Sequence, residues 1–239
     1  MGLEYTGNWS FSSLQNYQEC PHRFRLDRID KLPQLPREAN SPPERGIRVH
    51  GHLEKFVKRE IATLAGCEAK RIDTFEPLLA LARTHYDNGI ASVEENWTFD
   101  RDWEICDKRA PSLWLWTKLD LNVRNEGRRV TVVVDYKTGK SAYKALSHLK
   151  QMQLYAAVAA LRQPWADMIV VELWYVDEGH IVSRVFTRDQ ALMFVGRFQQ
   201  EAERIYADRW FKPNPSKETC RYCPFGAKNG TGACPVSVR

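Results

Sequence analysis

A chain of 239 residues, 43% of them hydrophobic, can bury a sizeable core as one large domain or as a core with appendages. Its formal charge of +5 permits a polyanionic partner without requiring one. No apolar run reaches membrane-spanning length and the first residues lack a secretory leader's hydrophobic segment, so a cytoplasmic chain with no membrane partner is expected, its six cysteines thiols or metal ligands rather than disulfides.

Ser10-Phe11-Ser12-Ser13-Leu14 opens a helix with serine capping, which Tyr17 and Cys20 continue until Pro21 interrupts it. A second short helix carries Arg23, Arg25 and Arg28, either a solvated face or phosphate contacts. Residues 32–43 are proline-rich and read as an exposed connection. A helix over about 44–64 sets Val49, Leu53, Phe56, Val57, Ile61 and Leu64 at helical spacing, with His50 beside that stripe. A further helix is predicted at 78–86. A strand follows at 92–99, with Glu95 an acidic outlier in it.

The most informative stretch runs from Leu113 to Lys140. Leu113, Leu115, Leu119, Leu121 and Val123 alternate with Trp114, Trp116, Lys118, Asp120 and Asn122, which predicts a half-buried strand. A turn at Asn125-Glu126-Gly127 then leads into Val130-Thr131-Val132-Val133-Val134-Asp135-Tyr136-Lys137, completing a hairpin. The register expected from shared apolar faces pairs Leu119 with Val134, Leu121 with Val132 and Val123 with Val130. It leaves Asp120, Asp135 and Lys137 together on the opposite face. Unpaired charge on a central strand is expensive, whereas a hard divalent cation such as Mg²⁺ or Mn²⁺ takes carboxylate ligands readily. A lysine beside such an ion can orient or deprotonate water and stabilise charge on a phosphate, which is the chemistry of metal-assisted phosphodiester hydrolysis.

A helix beginning at 141 or 144 and ending near 161 carries Gln151 and Tyr155, four residues apart and so on one face. Residues 168–176 and 181–186 flank Asp177-Glu178-Gly179-His180 as a second hairpin. An amphipathic helix over 189–209 follows. The tail, with Pro213, Pro215, Cys220-Arg221-Tyr222-Cys223-Pro224 and Cys234-Pro235, cannot build a core of its own. Its Cys-x-x-Cys has the spacing of thiolates that share one metal centre. Cys67 and Cys106 read as ordinary thiols.

Asp120, the run Asp135-Tyr136-Lys137-Thr138-Gly139-Lys140, and Gln151-Met152-Gln153-Leu154-Tyr155 resemble the PD-(D/E)XK nuclease superfamily. The likeness extends to its RecB-like branch and, within that, to the iron–sulfur subset that includes AddB and the CRISPR-adaptation exonucleases. The resemblance implies an α/β fold: a mixed central sheet flanked by helices, with a cysteine-bound lobe joining the termini. It implies a single nuclease domain over 1–239, residues 10–31 and 212–235 together forming the lobe. His50, Asp120, Asp135 and the Tyr136 carbonyl would hold Mg²⁺ or Mn²⁺; Lys137 would act on the attacking water. Gln151 and Tyr155 would bracket the lysine and a backbone phosphate. Cys20 would join Cys220, Cys223 and Cys234 around a [4Fe–4S] cluster. The ten residues between Cys223 and Cys234 let Zn²⁺ compete for that site. The implied activity is a DNA exonuclease acting on single-stranded ends, with Trp114 and Trp116 available for base stacking. Such an enzyme would be prokaryotic, archaeal or phage-encoded, and would work beside a helicase, annealing or CRISPR-adaptation partner. A restriction-like endonuclease and an inactive DNA-binding module are the alternatives.

Overall fold

A computed structural model describes residues 3–141 and 145–238. The helix start expected at 144, and Met1 and Gly2, lie outside the described residues. Five strands form one mixed sheet in chain order: β1 (Ala91–Phe99), β2 (Leu115–Asn125), β3 (Val130–Lys137), β4 (Met168–Tyr175) and β5 (His180–Thr187). Neighbours pair antiparallel except β3 and β4, which are parallel. A parallel pair needs a long crossover, and α5 (Ala145–Arg162) occupies it.

Both faces of the sheet are covered. On one side α1 (Phe11–Glu19), α5 and α6 (Arg188–Ala207) enclose a core that includes Leu14, Val133, Leu154, Leu173 and Phe198. On the other, α3 (Pro42–Val57) and α4 (Ile72–Asp87) enclose Leu53, Phe75, Leu121, Val134 and Tyr136. The runs Val130–Val134 and Met168–Val171 are nearly continuous in apolar residues because a strand covered on both faces has no wet side. Two short helices, α2 (Pro21–Arg28) and α7 (Lys217–Arg221), belong to the region where the two ends of the chain meet. There Leu26, Cys223 and Phe225 form a small third core, with Leu32 and Cys234 against it. The Asn214 amide reaches Cys20 Sγ at 3.5 Å, and its side chain donates to the Glu19 carbonyl at 3.0 Å. Gly230 lies so close to the Pro224 carbonyl that no side chain fits between them.

α3 ends at Val57, about two turns before the apolar stripe predicts. Arg59 turns left-handed at φ 62°, and Arg83 of α4 takes up the freed carbonyls of Phe56 (2.7 Å), Ala62 (3.2 Å) and Ile61. A tertiary contact therefore decides that boundary. α4 starts earlier than predicted, at Ile72, and accommodates Pro77 within its first turns.

A second clamp fixes the other end of α3. The Arg45 guanidinium forks onto both oxygens of Asp177 at 2.7 Å each, and Asp177 also accepts the Lys70 amide at 3.0 Å. Burial pushes the Asp177 carboxyl up, but Arg45 and the Lys70 amide outweigh it and hold the group below its ordinary 3.8. A depressed folded value means that the stabilisation is present above the ordinary range and is lost as pH falls through the folded value. Asp177→Asn is expected to lower the melting temperature at neutral pH by roughly 3–10 °C, from a loss of about 1–3 kcal/mol. The gap from wild type should close in acid. Equal melting curves at neutral pH would discard the clamp.

Candidate active site

The hairpin register is two residues from the expected one: Leu121 pairs with Val134, Val123 with Val132 and Asn125 with Val130. Asp120, expected on the face of Asp135 and Lys137, turns instead toward α3, but an even shift preserves the alternation within β3, so Asp135 and Lys137 still stand opposite Val132 and Val134. The face they share is not an open polar one. Val133, beside them, belongs to the α5 core, and Asp135 is only 6% exposed.

Asp135 is held from three sides. Its Oδ1 accepts from the Tyr155 hydroxyl at 2.8 Å and from Gln151 Nε2 at 3.2 Å, while Oδ2 faces Lys137 Nζ at 2.6 Å. Gln151 closes the ring by accepting from Lys137 Nζ at 2.8 Å and donating to the Tyr155 oxygen at 2.8 Å. The four-residue spacing on α5 is what lets both side chains reach β3 together. Burial, then the charge of Asp135, pushes the Tyr155 phenol far up, so it stays protonated and donates.

Asp120 sits one residue beyond the β2–β3 ladder and turns toward α3. Its Oδ2 accepts the Tyr136 amide at 2.6 Å, and its Oδ1 lies 3.0 Å from His50 Nδ1. Burial alone would lower the His50 value, but Asp120, and more weakly Asp135, raise it above 6.5 overall. A raised folded value means the pair stabilises the chain fully below about 6.5 and less as pH rises through the folded value.

Glu94, which sequence reasoning missed in favour of Glu95, completes this corner. One ligand atom from each of His50, Glu94 and Asp120 lies within 4.8 Å of the other two. Glu95 instead accepts from Ser92 Oγ at 2.6 Å. Glu94 is left-handed at φ 54° in the middle of β1, a conformation that costs a non-glycine residue about 1–3 kcal/mol. At the same level both strands change layers. Val93 and Leu121 lie in the α3–α4 core, whereas Trp97 and Leu119 lie in the α5 core. Simple alternation therefore fails at Leu119 and picks the wrong acid of the adjacent pair Glu94-Glu95. That pair of charges inside an apolar strand was the one hint in the sequence.

The remaining predicted residues divide. Cys20, Cys220, Cys223 and Cys234 line one small cavity, and none is in a disulfide. Trp114 is 4% exposed and edge-on to Trp9 and Trp103, so it packs and cannot stack a base; Trp116 is 42% exposed. Arg23, Arg25 and Arg28 are each ion-paired, to Glu19, Asp30 and Asp27. One imidazole nitrogen and two carboxylates around one point suit a divalent cation of the Mg²⁺ or Mn²⁺ kind, the imidazole favouring Mn²⁺.

Two solved structures are similar to this chain. One, named SSO0001, has 13% identity and a TM-score of 0.43, covering 99% of this chain and 90% of that one. The other, from Eubacterium rectale and named as a candidate exonuclease, has 14% identity and a TM-score of 0.43, covering 92% and 88%. A search of curated proteins gives no match. No helix among the described residues is long and apolar enough to cross a membrane. The sequence model of the PD-(D/E)XK nuclease superfamily matches residues 8–227, nearly the whole length, and the chain belongs to that superfamily.

Proposed function

We propose that this protein is a metal-dependent DNA exonuclease of the RecB-like branch, one nuclease domain acting on single-stranded ends in recombination, repair or CRISPR-type DNA processing. A helicase, annealing or CRISPR-adaptation partner would present those ends. One observation carries the reading: the His50–Glu94–Asp120 corner and the Asp135–Lys137–Gln151–Tyr155 ring meet at the end of the β2–β3 hairpin. His50, Asp120, Asp135 and the Tyr136 carbonyl are the ligands in this reading, with Glu94 added to them. A divalent cation bound there supplies Lewis-acid stabilisation to the phosphate and its leaving oxygen. Lys137, positioned by Asp135 and Gln151, orients the attacking water and offsets charge on the phosphate. Asp120 orients the His50 ring, and Tyr155 keeps Asp135 from turning away.

The test is degradation of end-labelled single-stranded DNA with Mn²⁺, wild type against Asp135→Ala. Activity persisting in that variant removes the assignment. Cleavage of closed circular DNA would instead indicate a restriction-like endonuclease. A proton and a cation compete for His50, so the rise in melting temperature given by Mn²⁺ should grow from about pH 6 to about pH 8. A rise independent of pH would take the imidazole out of the ligand set.

The iron–sulfur assignment belongs to the same proposal, residues 10–31 and 212–235 forming the lobe. Cys20, Cys220, Cys223 and Cys234 share one small cavity, a set of four thiols that suits a [4Fe–4S] cluster, with Zn²⁺ the competing occupant.

A further inference from the structure

Two clefts of opposite character adjoin at the hairpin. One, beside α3, is lined by His50, Glu54, Glu94 and Asp120. The other, of about 520 Å³, lies between the start of α1 and β2; it carries Arg28, Lys118 and Lys137, whose partners Asp27, Glu94 and Asp135 lie outside its lining. Lys118 lines both. We propose that this second, basic cleft seats the single DNA strand next to the scissile phosphate, with Trp116 as the platform for one base. The proposal rests on the nuclease reading and adds to it where the strand lies and what holds it.

Trp116 is exposed yet fixed. Its indole Nε1 donates to Asn96 Oδ1 on β1 at 2.8 Å, so the ring is held on the cleft wall before any ligand arrives. An immobilised, solvent-facing indole loses little freedom when a base stacks on it. It stands four residues before Asp120 on β2, roughly 13 Å along the strand. Thr117, beside it, is 5% exposed and also lines the cleft, and its hydroxyl has no hydrogen-bond partner among the described residues. Ser10 and Ser12, at the first turn of α1, form the facing wall, where helix amides attract a phosphate. Stacking reads no particular base, and a base paired in a duplex cannot turn onto the ring. The cleft therefore takes single strands of any sequence.

The test is the affinity of fluorescein-labelled oligothymidylate for the full chain, by anisotropy in EDTA so that nothing is cut. Trp116→Ala is expected to weaken binding roughly tenfold to a hundredfold, and Trp116→Phe much less. The same oligonucleotide in a blunt duplex should bind wild type and Trp116→Ala alike. Asn96→Ala, which frees the indole without removing it, should give an intermediate loss; it serves if Trp116→Ala melts abnormally. Unchanged single-strand affinity in both variants overturns the proposal. Because the readout needs no hydrolysis, the two readings fail separately: cleavage surviving in Asp135→Ala would leave a Trp116 effect standing, and a null Trp116 result would leave the catalytic assignment standing.

Discussion

Asp135→Ala is expected to slow Mn²⁺-dependent hydrolysis of single-stranded DNA by roughly a thousandfold or more. The variant removes one carboxylate of the proposed cation site and, at the same time, the acceptor that positions Lys137. It also leaves the Tyr155 hydroxyl and the Gln151 amide, both directed at Asp135 Oδ1, with an empty space in a buried setting. Stranding those donors costs about 1–3 kcal/mol of stability, so the alanine protein should also melt lower. Asp135→Asn separates the two effects. The amide keeps the shape and can still accept from Tyr155, but its NH2 then faces the Lys137 ammonium, so it should melt between wild type and alanine while its activity falls as far as that of alanine. End-labelled substrate on a denaturing gel, with thermal melts of all three proteins, decides the matter. Activity within tenfold of wild type in the asparagine variant would show that no cation depends on this carboxylate.

Cys20→Ser and Cys220→Ser are each expected to abolish visible absorption in anaerobically purified protein and to lower the melting temperature by roughly 10 °C or more. The size of the effect follows from where the two residues stand. Cys20 ends the first helix and Cys220 lies in the tail, so the proposed shared centre would clamp these two segments together. The tail has few other anchors. Its own core is Leu26, Cys223 and Phe225, and backbone bonds such as Cys234 N–H to the Phe225 carbonyl at 2.9 Å serve only local turns. Metal binding to such a segment is in large part its folding energy. Colourless wild-type protein with stoichiometric zinc would overturn the cluster but keep the clamp. Serine variants that melt with wild type would overturn the clamp itself.

Much of the α/β order was legible in the residues alone. Period-two runs separated by turns, and helical stripes between them, mark five strands and the larger helices. The chemistry-bearing residues stand out for a local reason, since Asp120, Asp135 and Lys137 interrupt apolar strands where charge is costly, and Gln151 and Tyr155 share one helix face by spacing. Long-range choices were not legible. A strand's side chains repeat every two residues, so registers two apart satisfy the same pattern, and only the packed hairpin selects Leu121 opposite Val134. Glu94 was hidden because its left-handed backbone accompanies a change of layer that strict alternation cannot represent. Trp114 and Trp116 are equivalent in the pattern, yet one is enclosed by Trp9 and Trp103 and the other faces the basic cleft. Propensity and periodicity act over a few neighbours and determine which elements form. Register, layer and exposure arise from contacts between residues far apart in the chain, and those only the tertiary structure decides.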